Sequence, residues 1–377
     1  MSVALQKTLS LLLLIVIGFF LKQKLLKEDQ KKGLKTIILD LALPAMIFVA
    51  LLKIEINPDL LMLPVLALVF NVVMILVVRY ILPVLGVEAN TPAMRTLMLL
   101  LPSLAPGLSC FPFLVEYLGD EVLAWGALAD IGNKIFVLLI SYLLAMHWFY
   151  REHGLQVKSN GQRIKELLIA MVKEPINMVM VIAIALLSFG VTLETMPLFL
   201  SESIIMLKNM MTPLVLLFIG VAVIFKWDQL RMITSLLVFR SGVTFLLSGL
   251  FVLLIPLPSE AAILLAVVFP QSACSFWPFA HMSAIRAMEL NKDDIKEKMT
   301  FDLDLGINVL AVSLPFSTLL ILGVFTSGTY FLDPFHILFS GTLFIGIAVI
   351  PKVIAWVRNQ ETSVVSFLNP SKESIED

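Results

Sequence analysis

The sequence predicts an all-α integral membrane protein made of ten transmembrane helices in two inverted five-helix repeats, plus an eleventh, C-terminal helix. Three observations predict it: a composition suited to lipid, apolar runs that recur along the whole chain, and a likeness between the two halves. Of 377 residues, 59% are hydrophobic and 15% charged, with a mean hydropathy of +0.97. Soluble domains carry about one quarter charged residues, so much of this surface needs lipid as its solvent.

Apolar runs long enough to cross a bilayer fall near 5–21, 36–52, 60–83, 96–118, 122–149, 175–192, 198–225, 232–255, 260–284, 301–326 and 335–357. The first begins almost at once, is followed by six lysines and shows no small-residue cleavage site, so it reads as a retained helix. Connections between runs are short, except for the polar stretch 150–174, expected as a cytoplasmic loop. Residues 1–149 form the first repeat and 175–326 the second, inverted one; 335–357 is the extra helix, and 358–377 a polar, disordered cytoplasmic tail.

Basic residues set the orientation. With the N-terminus outside, 22 of the 27 Lys and Arg residues fall in inner segments, two (Lys7 and Lys53) outside and three (Lys134, Lys208 and Arg240) within spans. This asymmetry is the positive-inside pattern, and it places the C-terminus in the cytoplasm of a plasma or inner membrane.

The halves match at an offset of 169 residues. Asp40 to Pro44 aligns with Asn209 to Pro213, Asp59 meets Asp228, and Leu68-Val69-Phe70 meets Leu237-Val238-Phe239. Further on, Ser109-Cys110-Phe111-Pro112-Phe113 resembles Cys274-Ser275-Phe276-Trp277-Pro278-Phe279, and Asp130 to Asn133 resembles Asp304 to Asn308. Each copy has five spans. An odd number forces the second copy to be inverted, and inverted repeats with interrupted helices mark transporters.

The interruptions are explicit. The fourth run holds Pro102, Pro106, Gly107 and Pro112, and the ninth holds Pro270 and Pro278. Proline removes a backbone donor and clashes with the preceding turn. Broken backbone at membrane depth is tolerated where it is packed in protein or lines a wet cavity, and a half-helix N-terminus there attracts anions. Simple kinking is the plain alternative for one span. Breaks in both halves, flanked by Ser103, Ser109, Gln271, Ser272 and Ser275, favour a solute site. Cys110 and Cys274 sit in related places, where small packing residues are the simpler reading.

Charges inside the runs are costly and face protein or water. Asp130 and Lys134 are one helical turn apart and can pair. Arg240 lies in the middle of the eighth run. Asp130, Asn133, Asp304 and Asn308 are candidates for binding Na⁺ or carrying a coupling proton, against the alternative of a structural pair and wet interface residues. Glu116 and Lys208 sit near span ends or can snorkel, and His281 fits a local polar contact. No metal-ligand spacing, P-loop or nucleophile–base motif occurs, so no metal, cofactor or enzyme chemistry is expected. A net charge of −1 suggests no nucleic-acid partner.

Ile17-Gly18, the lysine-rich Leu25–Leu34 joint and Leu41-Ala42-Leu43-Pro44 through Phe48 resemble the opening of the auxin efflux carrier family of membrane permeases. The resemblance extends in outline to about residue 325, and Ala105–Pro112 resembles that family's crossover motif. It implies that the broken fourth and ninth helices cross. It implies a scaffold from spans 1, 2, 6 and 7, a transport domain from 3–5 and 8–10 that moves as an elevator, scaffold-mediated homodimers, and a small organic anion as solute. Ala105 and Pro106 stand where the family has asparagine and threonine, whereas Gly107 and Pro112 are kept. The eleventh span is an addition.

The expected function is therefore a secondary active transporter for a small anionic organic solute. Pro106, Ser109, Cys110, Phe111, Gln271, Ser272, Ser275 and Trp277 are the solute-site candidates. Two other readings compete: a Na⁺-coupled symporter of the bile-acid transporter type, and a transport-inactive membrane scaffold or sensor.

Overall fold

A computed structural model describes residues 3–24, 28–53, 60, 62–154, 161–173, 175–222, 227–290 and 299–349. The expected tail at 358–377 and the end of the eleventh run lie outside the described residues. The structure is helical throughout, with no strand among the described residues. Among the described residues, seven helical stretches, three of them joining successive helices, are long and apolar enough to cross a membrane.

The first rod is α1, Val3–Leu21. The second joins α2, Glu28–Ile37, to α3, Leu43–Leu51, through a π-helical turn at Ile38–Ala42. Pro44 explains that turn: it lacks the N–H that would bond one turn back, and its ring crowds the carbonyl there. The backbone widens, and the Leu43 N–H bonds Ile38 O instead. Next comes α4, Met62–Ile81.

The fourth run is not one helix. It divides into α5 (Pro92–Leu100), the single turn α6 (Pro106–Ser109) and α7 (Phe111–Leu118). Thr91 caps α5, its Oγ1 accepting from Met94 N at 3.2 Å. Gly119, at φ +88°, ends α7 in a conformation that side-chain-bearing residues rarely adopt.

The fifth run is α8, Asp120–Ile135, and α9, Ser141–Glu152, joined by a second π-helical turn at Phe136–Ile140. His281 Nε2 donates to Val137 O within that turn at 3.0 Å, so the histidine meets the local polar need expected of it. The polar connection, expected as a loop, contains an amphipathic helix, α10, Gly161–Lys173. Then follow α11 (Pro175–Ser188), α12 (Leu198–Ala222) and α13 (Trp227–Leu254).

The ninth run is also divided. Ser259 caps α14, Glu260–Val268; a 3₁₀ turn spans Phe269–Gln271, residues 272–275 belong to no helix, and α15 runs Phe276–Leu290. Asp302 Oδ1 accepts from Leu305 N at 2.9 Å and so caps α16, Leu303–Thr326. The eleventh run gives α17, Pro334–Val349.

Small residues let these rods approach at backbone distance. α1 lies along α12, where Gly18 faces Leu217 O and Gly220 faces Ile15 O with no room for a Cβ. Gly132 of α8 sits equally close to Pro64 O of α4. α17 packs on α13 through Gly341 and Gly242: a Cβ on either would fall 2.9 Å from the other's carbonyl oxygen. Outward faces stay apolar, with Phe20 69%, Phe199 76% and Leu254 69% exposed. A water-soluble protein rarely shows so continuous an apolar surface, whereas lipid covers it without cost.

Candidate functional site

The two proline breaks meet in space. The Ala105 amide donates to Ala273 O at 2.7 Å, joining backbone to backbone. On either side, Ser109 Oγ accepts from Ala273 N and Ser103 Oγ accepts from Ser275 N, each at 2.9 Å. The same hydroxyls donate within their own segments, Ser103 to Leu100 O at 2.6 Å and Ser109 to Ala105 O at 2.8 Å. Ser272 Oγ donates to Phe269 O at 2.6 Å. Each break therefore supplies partners for backbone groups that the other cannot satisfy within its own helix.

Neighbouring helices complete the junction. Asn71 of α4 donates through Nδ2 to Pro102 O at 2.7 Å and to Asn133 Oδ1 at 3.2 Å. Asn133 of α8 holds both backbone groups of Leu104, accepting from its N–H at 3.1 Å and donating to its carbonyl at 2.9 Å. Arg240 of α13 donates from Nε to Leu101 O at 2.7 Å and from Nη2 to Ser103 O at 3.2 Å. It places its charge at the C-terminal end of α5, where unbonded carbonyls gather. On the second break, Ser313 Oγ of α16 accepts from Cys274 N at 3.3 Å, and Gln271 Nε2 donates to Ser241 O at 3.2 Å.

A charged pair adjoins this network. Asp130 Oδ1 accepts from Asn133 Nδ2 at 2.8 Å, and Asp130 Oδ2 lies 3.6 Å from Lys134 Nζ. Lys134 in turn donates to Asn177 Oδ1 of α11 at 3.0 Å. Both charged side chains are buried, so the expected one-turn pair forms.

Of the expected solute-site residues, Pro106, Ser109, Cys110, Gln271, Ser272 and Ser275 gather at the junction, all buried. Cys110 lies beside Ser272 across it. Phe111 is fully buried in the core against Gly126. Trp277, in the first turn of α15, is 39% exposed. Asp130 and Asn133 also reach the junction. Asp304 does not, being exposed in the first turn of α16, and Asn308 is half-buried one turn later. The α16 side chain that reaches the ninth-run break is Ser313.

Asn71, Ser241 and Ser313 join the junction although none is among the sequence candidates, and Arg240 takes a place there that its mid-run position alone does not assign. Asn71 and Arg240 did carry a signal: they stand 169 residues apart, the same offset at which the halves of the sequence match. The serines carried none, because such residues occur throughout membrane helices.

Two further charged clusters tie helix ends together. Asp120 at the start of α8 bonds Lys53 at 2.7 Å and Lys208 of α12 at 2.7 and 2.8 Å. Glu289 of α15 accepts from Thr300 Oγ1 at 2.6 Å, Thr300 N at 2.9 Å and Arg286 Nη1 at 3.1 Å, with His153 Nε2 at 3.2 Å. Arg95 Nε bonds Thr300 O at 2.8 Å, and its Nη1 pairs with Glu152 at 3.2 Å.

Residues 3–108 match the family model described as membrane transport protein, the transport domain of the auxin efflux carrier family. None of the curated proteins compared with the chain matches it.

Proposed function

We propose that this chain, whose residues 3–108 match the membrane transport protein model, is a secondary active permease of the auxin efflux carrier type for a small anionic organic solute. The observation that carries the reading is the junction of the two breaks, where Ala105 bonds Ala273 in the interior of an apolar helical protein. Irregular backbone at that depth lines a binding site or a pathway in transporters.

On this reading the fold is two inverted five-helix repeats whose broken members cross. The offset of 169 supports it: Ser103 and Ser272 are so separated and make the same bond three residues back. Asn71 and Arg240 are separated likewise, and both bind carbonyls of the first break. Spans 3–5 and 8–10 move as an elevator against spans 1, 2, 6 and 7, in a plasma or inner membrane with the N-terminus outside. Ser109, Gln271, Ser272 and Ser275 contact the solute, with Pro106, Cys110 and Phe111 shaping the wall and Trp277 covering an apolar part. The Ser109 and Ser272 hydroxyls, bonded to backbone carbonyls of their own segments, turn to the solute when it binds.

Asp130 and Asn133 couple the movement to H⁺ or Na⁺, with Asp304 and Asn308 as the second-repeat candidates. Lys134 Nζ lies 3.6 Å from the Asp130 carboxylate and takes a place that Na⁺ would need there. The Na⁺-symporter reading draws support from Asn71 Oδ1, a buried oxygen without a hydrogen-bond partner among the described residues.

The test is a thermal-unfolding screen of purified protein against organic acids, amino acids, bile-type amphiphiles and Na⁺, followed by flux of the stabilising compound into proteoliposomes. Saturable flux, lost in Ser275→Ala or Gln271→Ala protein that still inserts, supports the permease. Absence of saturable flux for any stabilising compound contradicts it and leaves a scaffold or sensor.

A further inference from the structure

We infer that Arg240 selects the charge of the solute, its guanidinium being the docking point for a carboxylate in the junction. This rests on the permease reading above and adds the residue that recognises the anion.

Three cations among the described residues are buried: Arg95, Lys134 and Arg240. Arg95 has Glu152 at 3.2 Å, and Lys134 has Asp130 at 3.6 Å. Arg240, the most buried at 1% exposure, has no carboxylate within ion-pair reach among the described residues. Its bonds go to two backbone carbonyls, Leu101 O and Ser103 O.

An unpaired charge in such surroundings is expensive. The carbonyl end of α5 offsets part of that cost, but a helix end amounts to about half a charge. A guanidinium offers five N–H groups in a planar fork, and the two carbonyls take one bond from Nε and one from Nη2. The remaining donors suit a carboxylate, which guanidinium binds through two parallel bonds.

The position gives this binding a consequence. Ser103 joins the breaks by accepting from Ser275 N, and Arg240 holds the carbonyl of that same serine. α13 also carries Ser241, whose carbonyl holds Gln271 of the other break. An anion on Arg240 therefore bears on both breaks at once. It neutralises the buried charge while the transport domain moves, which an uncharged solute cannot do.

The full chain is purified, and unfolding temperatures are measured with benzoate and succinate and with their neutral counterparts benzamide and succinamide. Flux of the same four compounds is followed in proteoliposomes. Wild type is expected to be stabilised by a carboxylate and not by its amide. Arg240→Gln, verified as monodisperse, is expected to bind that carboxylate about 10- to 100-fold more weakly. Arg240→Lys keeps the charge and a weaker preference, since it loses the planar fork. A carboxylate preference that survives in Arg240→Gln overturns the assignment, as does equal stabilisation of wild type by acid and amide. Should Arg240→Gln fail to fold, Arg240→Lys decides: carboxylate binding as tight as in wild type overturns the assignment. Flux of amides alone refutes Arg240 as the selector and leaves a permease. No stabilisation and no flux with any of the four, and none in the wider screen, removes the permease reading itself.

Discussion

Ser109 Oγ sits between Ala105 O, to which it donates at 2.8 Å, and Ala273 N, from which it accepts at 2.9 Å. One hydroxyl thus serves a carbonyl of the first break and an amide of the second. Ser109→Ala should leave the buried Ala273 N–H without its partner and cost about 1–3 kcal/mol. Ser103→Ala should cost a similar amount, for Ser275 N loses its partner while Leu100 O keeps the Ser103 N–H. The double variant should lose less than the sum, because the two serines support one junction. Unfolding temperatures of the three variants check this, and strict additivity would argue against a shared junction.

Asp130→Asn removes the carboxylate that faces Lys134 in a buried site. Loss of one member of a buried pair costs up to about 3–5 kcal/mol. Adding Lys134→Met should recover most of that stability, since no buried charge is then stranded. If Asp130 also couples transport to an ion, the double variant folds yet transports without dependence on pH or Na⁺. A double variant with wild-type ion dependence would confine the pair to a structural role.

Asp120 draws together Lys53 and Lys208 from separate parts of the chain. Lys53 is half exposed at its side chain, so Lys53→Ala should cost less than about 1 kcal/mol and vanish at high salt. Asp120→Asn deprives the more buried Lys208 of its charged partner and should cost about 1.5–3 kcal/mol. Denaturation at low and high salt separates the two effects, and equal costs would mean that Lys53 is not the weaker partner.

Gly132 lies against the carbonyl of Pro64 with no space for a methyl group. Gly132→Ala must therefore push α4 from α8, which displaces Asn71 from Asn133 at the junction. The expected result is a marked fall in folded yield, compared by fluorescence size-exclusion chromatography. Gly323→Ala on α16 meets nothing within 4 Å and should be silent.

Much of the fold was legible because its signals are local. The apolar runs, the prolines of the fourth and ninth runs and the spacing of Asp130 and Lys134 each act within one helix. The π-helical turn at Ile38–Ala42 follows from Pro44, but its width was not legible, because proline permits a kink as well as a bulge. The helix Gly161–Lys173 hid in a polar stretch because its amphipathic pattern averages to low hydrophobicity.

The candidate site was legible in position more than in partnership. The prolines marked where backbone groups are set free. Which side chains satisfy them depended on packing between distant segments: Arg240 reaches Leu101, and Ser313 reaches Cys274. Hydrogen bonds to backbone impose little residue type, so pairs such as Asn133 with Leu104 leave no mark in composition. Asp304 looked like a counterpart of Asp130 by motif, yet it stands exposed in the first turn of α16, away from the ninth-run break.

The chain's two cysteines, Cys110 and Cys274, are free, buried and placed one in each break. Their alkylation by N-ethylmaleimide in proteoliposomes, followed by mass spectrometry with and without a transported solute, tests most directly whether the junction is the solute site. If it is, both thiols react slowly, and the solute slows at least one of them further at concentrations that saturate transport. Alkylation rates indifferent to every solute the protein carries would contradict that placement.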